Sequence, residues 1–344
     1  NVATQTSSQQ LGIVLQPRLP HTVFNNDLPR IHSATLGATA YNNIFSICAG
    51  IAEKYFIRIG DMMVSLIENE NFRTELNNFV RQEATHSLIH SRMNAVLESQ
   101  GLPVKPLEIW VDAIFTGMFK AGGYPKLVML GVAGEQVFGL IGEGFLKQHK
   151  TLAKFDPRVA EILLWHGYEE LEHSAAIFDG YMALLNDPQR AHSWRLRSIP
   201  YMLFLMMIGF PVLMIILLRH EGKRELFRLK NWRDFFSYVL GKNGILSGTG
   251  KQVMAYAKKD FHPWQHSGGK AMLEQYQHFA RPEWNMPAKN VRFQPEKGYE
   301  LQQAVNAKDP SMVKEVFSFF VFAWHMLKAS YRAIIDSAAY AKKA

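Results

Sequence analysis

The chain has 344 residues, 48% of them apolar and 20% charged, which is ample for a large buried core and too apolar for a disordered chain. One cysteine, Cys48, excludes an internal disulfide and any thiolate-based zinc or iron–sulfur site, and gives no support for an oxidising compartment. The net charge of +8 favours anionic partners such as a membrane surface or a fatty-acid carboxylate.

Residues 1–10 are polar and uncharged, with no signal-peptide pattern, and no structure is expected there. Pro17, Pro20 and Pro29 mark an extended arm, so 1–38 is read as an arm laid over the domain. A first helix is expected over 39–68, where Ile44, Ile47, Ile51, Tyr55 and Phe56 recur at helical spacing and Glu53 falls inside the apolar stretch. A second is expected over 71–100, stopping at Gly101 and Pro103. Residues 105–121 suggest a short helix or cross-connection, broken by Gly122-Gly123-Tyr124-Pro125. A third bundle helix follows over 126–150, and its Gly131-Val132-Ala133-Gly134 would let another helix approach closely. Pro157 suits the first turn of a fourth, running to 185.

Two of these helices carry Glu-x-x-His: Glu83 with His86, and Glu170 with His173. Positions i and i+3 share a helix face, so each pair can reach one metal side by side. A lone glutamate lies one helix and turn ahead of each, Glu53 before Glu83 and Glu135 before Glu170. Glu143 is the rival on the third helix; Glu135 matches the spacing better. A glutamate from each of two helices and Glu-x-x-His from two others is the ligand set of dinuclear carboxylate bundles. The expected fold is therefore all-α: a ferritin-like four-helix bundle over 39–190 with a dinuclear centre, in which Glu83 and Glu170 bridge or cap. His166 stands one turn before Glu170 and His90 one turn after His86, and each is a candidate third ligand, outer donor or proton carrier, hence a candidate catalytic residue. Asp179 is a candidate to orient a ligand histidine.

Residues 191–265 hold a different material. Twenty uncharged residues, 199–218, are long enough to span a bilayer. Gly209-Phe210-Pro211 in their middle could bend them into a hairpin. A monotopic hairpin or in-plane anchor, a buried helix lining an apolar channel, and a true span all remain open. Residues 220–262 are basic, with Trp232, Phe235, Phe236 and Tyr238 interleaved, which fits a headgroup-level surface; no nucleic-acid-binding motif accompanies the charge. Residues 266–344 form a C-terminal extension ending in an amphipathic helix over 311–341. Its face of Val313, Val316, Phe317, Phe320, Trp324 and Leu327 would dock on the bundle or pair with a second copy as a homodimer.

Several of these stretches resemble a known family. They are Ala52-Glu53-Lys54-Tyr55-Phe56; Gln82-Glu83-Ala84-Thr85-His86 with His90 and Asn94; Trp165-His166 with Glu169-Glu170 and Glu172-His173, then Phe178-Asp179; and Phe261-His262-Pro263-Trp264. Together they are similar to the bacterial "predicted metal-dependent hydrolase" family, grouped with ferritin-like proteins, over residues 15–265. The resemblance departs at Gly50-Ile51-Ala52-Glu53, where a Pro-x-Gly-Glu-like lead-in is expected. The His166/Glu170/His173 arrangement is also similar to that of the di-iron arylamine N-oxygenases, in which an extra histidine joins the usual set.

Neutral imidazole and carboxylate donors without thiolate suit iron, manganese or zinc. The expected activity is a non-haem oxygenase or oxidase that uses two iron ions, O₂ and an external electron donor on an apolar or lipid-like substrate. A dinuclear hydrolase using zinc or manganese is the alternative, and a non-catalytic, membrane-associated metal-binding subunit the third. The expected location is the cytoplasmic side of the membrane, peripheral or monotopic, or else the soluble cytoplasm.

Overall fold

The computed structural model describes residues 5–340, and the regular elements among them are all helices, beside one isolated antiparallel bridge between Arg18 and Asn285. Helix α1 (Leu36–Val64) starts at Thr35, whose side chain accepts from the Ala38 amide. Helix α2 (Glu70–Ser99) is capped by Asn69. Helices α3 (Val104–Gly122) and α4 (Tyr124–Lys147) are separated by Gly123 alone, at φ +71°, a conformation that favours glycine. Helix α5 (Pro157–Glu172) has Asp156 as its cap and Pro157 in its first turn.

Helix α1 packs along α2, and α4 along α5. The second pairing is unusually close: a Cβ on Gly167 would lie 2.7 Å from the Gly142 carbonyl oxygen, and one on Gly142 would lie 2.7 Å from the Glu170 Cβ. Gly131 and Gly134 admit Ile59 and Phe56 of α1, as the small-residue run implies. The expected single helix over 157–185 is broken: α5 ends at Glu172, His173 caps it, and the chain resumes as α6 (Ala176–Leu185).

The hairpin at Gly209-Phe210-Pro211 is not formed. Residues 188–220 continue as one long helix, α7 (Pro188–His220), through a π-helical turn at Leu205–Gly209. A proline lacks an N–H and its ring crowds the carbonyl four residues earlier; the wide turn ahead of Pro211 relieves both without a reversal. Trp110 packs where a Gly209 side chain would be. By length and composition both α4 and α7 could cross a membrane, but the most apolar 18 residues of α4 are 72% buried, as in a core helix, whereas those of α7 are 39% buried with a mean hydropathy of 2.6. Leu213, Met214, Leu217 and Leu218 face inward, while Leu203, Met206, Met207 and Ile208 remain exposed.

Helix α8 (Leu229–Leu240) packs on α1, and α9 (Met312–Tyr340) on α3. On α9 the docked row is Glu315, Phe322, Met326, Ser330 and Ala333. The apolar face expected to dock, from Val313 to Leu327, is the one left exposed. The docked row buries Phe322 and Met326 and is matched in its polar members: Trp110 donates to Ser330, and Lys126 pairs with Glu315.

The arm lies over α2 and α5, with Leu15, Phe24 and Leu28 buried. Where no structure was expected, Ser7–Gln10 form a short helix whose Thr6 and Ser8 hydroxyls donate to Glu75. Burial pushes the Glu75 carboxyl up to about 7 despite these donors. A carboxyl raised in the folded state contributes stability that is complete below its ordinary range and lost as the pH rises through the folded value. The melting temperature should therefore fall between pH 5 and 8 by more in the natural protein than in Glu75→Gln. Parallel pH profiles for the two would refute this reading.

Candidate metal centre

Four helices point seven side chains at one buried place. Glu53 comes from α1, Glu83 and His86 from α2, Glu135 from α4, and His166 and Glu170 from α5, with His173 at its end. None is more than 1% exposed. They fall into two groups, Glu53–His86–His166–Glu170 and Glu83–Glu135–His173, and within each group one donor atom per residue lies within 4.8 Å of the others.

The grouping crosses the Glu-x-x-His pairs rather than following them. Glu83 is grouped with His173 and not with His86, because its Oε1 stands between them, 3.2 Å from His173 Nε2 and 3.4 Å from His86 Nδ1. Glu170 straddles likewise. Its Oε1 lies 2.8 Å from His166 Nε2 and 3.4 Å from His86 Nδ1, and its Oε2 lies 3.3 Å from His173 Nε2. Glu53 and Glu135 are the outer carboxylates, 3.6 Å from His166 and 3.5 Å from His173 respectively. Two carboxylates between the groups and two at their outer ends would suit a pair of neighbouring cations.

The donor set fits metal ions on a second ground. Both carboxylate oxygens of Glu53, Glu83 and Glu135, and Nδ1 of His86, are buried without a hydrogen-bond partner. Such groups are costly in a dry interior unless a cation meets them. Burial, and then mutual repulsion, drives Glu53 and Glu135 well above the usual carboxylate range. Glu170 moves the other way: the His173 charge and three histidine hydrogen bonds outweigh its burial.

Each histidine of the cluster has its outward nitrogen occupied, which fixes the nitrogen it presents inward. His86 Nε2 donates to Glu169 (3.0 Å), and His173 Nδ1 donates to the side-chain oxygen of Gln82 (3.1 Å). His166 Nδ1 meets His90 Nε2 at 2.7 Å, and His90 Nδ1 meets the Ser46 hydroxyl at 3.0 Å. Ser46 donates to Asn94, so Ser46 accepts from His90 and His90 accepts from His166. His166 is thus left with Nε2 bare toward the carboxylates. Burial lowers it to about 4, with the neighbouring His86 adding to the effect.

The structure therefore brings Glu53, Glu83, His86, Glu135, His166, Glu170 and His173 together. It leaves His90 out, one hydrogen bond behind His166 rather than facing any carboxylate. Glu143 is also outside, held by Lys147, Gln252 and the Gly268 amide. Asp179 does not orient a cluster histidine; it accepts from the Ser7 amide (2.8 Å) and bonds His262 (3.1 Å). Sequence reasoning gave no role to Gln82, Glu169, Glu172 or Arg18, which surround the cluster. The one signal was Glu169-Glu170-x-Glu172, three acids in a helix that is otherwise largely apolar.

Removing the shared Glu83, or His173 of one group, should cost one ion. Glu83→Ala or His173→Ala should keep about one metal per chain against an expected two for the natural protein, by elemental analysis after purification. Full metal content in both variants would overturn these ligand assignments.

Comparison with known proteins finds no match among curated proteins and none among solved structures. Over residues 16–267, more than half of the chain, it matches the family model described as "predicted metal-dependent hydrolase". That stretch contains every residue of the cluster, and the chain belongs to this family.

Proposed function

We propose that this protein is a dinuclear metal enzyme that oxidises an apolar or lipid-like molecule. The observation that supports this reading is an open-mouthed cavity of about 190 Å³ lined by α1, α3, α4 and α7. Apart from Cys48, its lining is apolar or aromatic. Phe45 and Phe138 belong to that lining and also pack on the His166 ring, with centroids 5.2 and 6.5 Å away. A molecule in the cavity would stand one aromatic ring from the cluster, against apolar walls.

Seven donors without thiolate would hold two ions of iron, manganese or zinc. Redox-active ions held there would supply the electrons for O₂ activation, with an external donor to restore them. The chain's own residues do the rest. The outward hydrogen bonds fix each histidine, the cavity takes the substrate, and its apolar walls exclude water. Those walls present almost entirely apolar surface to a carbonyl or phosphoryl oxygen, and for that reason we place oxidation ahead of hydrolysis. Hydrolysis is the second reading, favoured by the family's description.

The cavity mouth suggests where the substrate comes from. Met206 lines the cavity and is also exposed, and Met207 next to it is 73% exposed. Along neighbouring α9, Val313, Phe317, Phe320, Trp324, Leu327 and Tyr331 form an exposed stripe, flanked by exposed Lys314, Lys328 and Arg332. Of the two acids on that helix, Glu315 is used up in pairs with Lys126 and Arg197. An apolar stripe with aromatic rings and a cationic rim suits an anionic bilayer surface. It suits a second copy less, since two such rims would repel.

Two measurements test this function. Protein purified without added metal should contain close to two irons per chain and consume O₂ when given a reductant and a long-chain apolar substrate. Two zinc or manganese ions with ester turnover would transfer the assignment to hydrolysis. Separately, the protein should sediment with anionic phospholipid vesicles, and Phe317→Glu combined with Trp324→Glu should release most of it. Equal recovery in the supernatant with and without vesicles would refute the membrane surface.

A further inference from the structure

Arg18 leaves the extended arm and ends, 5% exposed, against α5. Its guanidinium donates to Glu169 at 2.9 Å and to both oxygens of Glu172 at 3.0 Å. Neither acid belongs to the two metal groups. Glu169 uses its other oxygen to accept from His86. Glu172 accepts from the Gln82 amide at 2.6 Å and from the Gln16 backbone at 3.1 Å. With its NH₂ so held, Gln82 must turn its oxygen toward His173. One arginine from outside the bundle thus reaches a histidine of each group by two separate routes.

We infer that Arg18 is a positioning residue for both metal positions, setting His86 through Glu169 and His173 through Glu172 and Gln82. This rests on the reading that each group takes one ion. Net stability is a poor account of the arrangement, because a buried ion pair rarely outperforms apolar packing of the same volume. Geometry is a better one. The planar fork of an arginine can serve two carboxylates at once, which the point charge of a lysine cannot. A carboxylate or amide behind a metal-binding histidine fixes its ring and tautomer, and losing one typically costs 10- to 100-fold in metal affinity. What is new here is that one residue governs two such supports, and that it lies on the arm.

The test uses the metal-free full-length chain titrated with cobalt(II) alone against a competing chelator and followed by visible absorption. Thermal melts check that each variant is folded. Glu169→Ala should weaken one of two cobalt positions about 10- to 100-fold, and Gln82→Leu should weaken the other by a similar factor. Arg18→Met should weaken both and shift both absorption envelopes, and Arg18→Lys should restore at most one. Natural affinity at both positions in folded Arg18→Met, or loss at only one, overturns the inference. Should Arg18→Met not fold, the other two variants decide: weakening of the same position by both, or of neither, overturns it. Uptake of fewer than two ions by the natural chain instead overturns the two-ion reading, and the two failures are therefore distinguishable.

Discussion

Four carboxylates share one interior with three imidazoles and no lysine or arginine among them, and this electrostatic constraint governs the rest of the structure. Anions a few ångströms apart repel strongly where water is excluded, and burial adds a desolvation cost to each. The cluster is coherent only as a cation site. That requirement explains why the helices that carry it are so tightly held. Gly142 and Gly167 bring α4 and α5 to backbone contact, and caps at Thr35, Asn69 and Asp156 fix where three of the four helices begin.

Around the cluster the polar groups are arranged in depth. Three histidines present one nitrogen inward, and the other is held by a carboxylate, an amide or a further histidine. These supports come from three directions: Glu169 along α5, Gln82 and His90 along α2, and Arg18 from the arm. On the opposite side there is no such layer. Phe45, Phe56 and Phe138 separate the cluster from an apolar cavity, so the centre is polar toward the arm and apolar toward α7. Chemistry directed at an apolar molecule would take place on that second side.

Much of this was legible in the sequence, and the parts that were not have physical reasons. Glu-x-x-His spacing identified Glu83, His86, Glu170 and His173 because helical periodicity is local, and Glu53 and Glu135 followed from the repeat between the two halves. The crossing of Glu83 to His173 was not legible, because it depends on how two helices sit against each other. His90 shares the stripe of His86, yet a further turn along α2 carries it past the carboxylates and behind His166. Arg18 lies 151 residues from its partner Glu169, and no spacing rule reaches that far. On α9 the most apolar stripe looked like the docking face, but helix-to-helix contact selected the mixed row of Glu315, Phe322, Met326, Ser330 and Ala333. At 209–211 glycine and proline read as a bend, and a wide turn absorbed both.

That wide turn has a consequence for the register of the long helix. A π turn accommodates one residue more than an α turn does, and each residue of an α-helix advances about 100° around its axis. The row Leu213, Met214, Leu217 and Leu218 meets the core only because the extra residue has already been counted. Winding 205–209 as a regular α-helix with every residue kept would rotate all that follows by about 100°, swing that row away from the core and bring polar Arg219 toward it. Removing one residue there while the turn narrows would leave the row in place. In α7 the width of the turn ahead of Pro211 and the number of residues in it are thus fixed together.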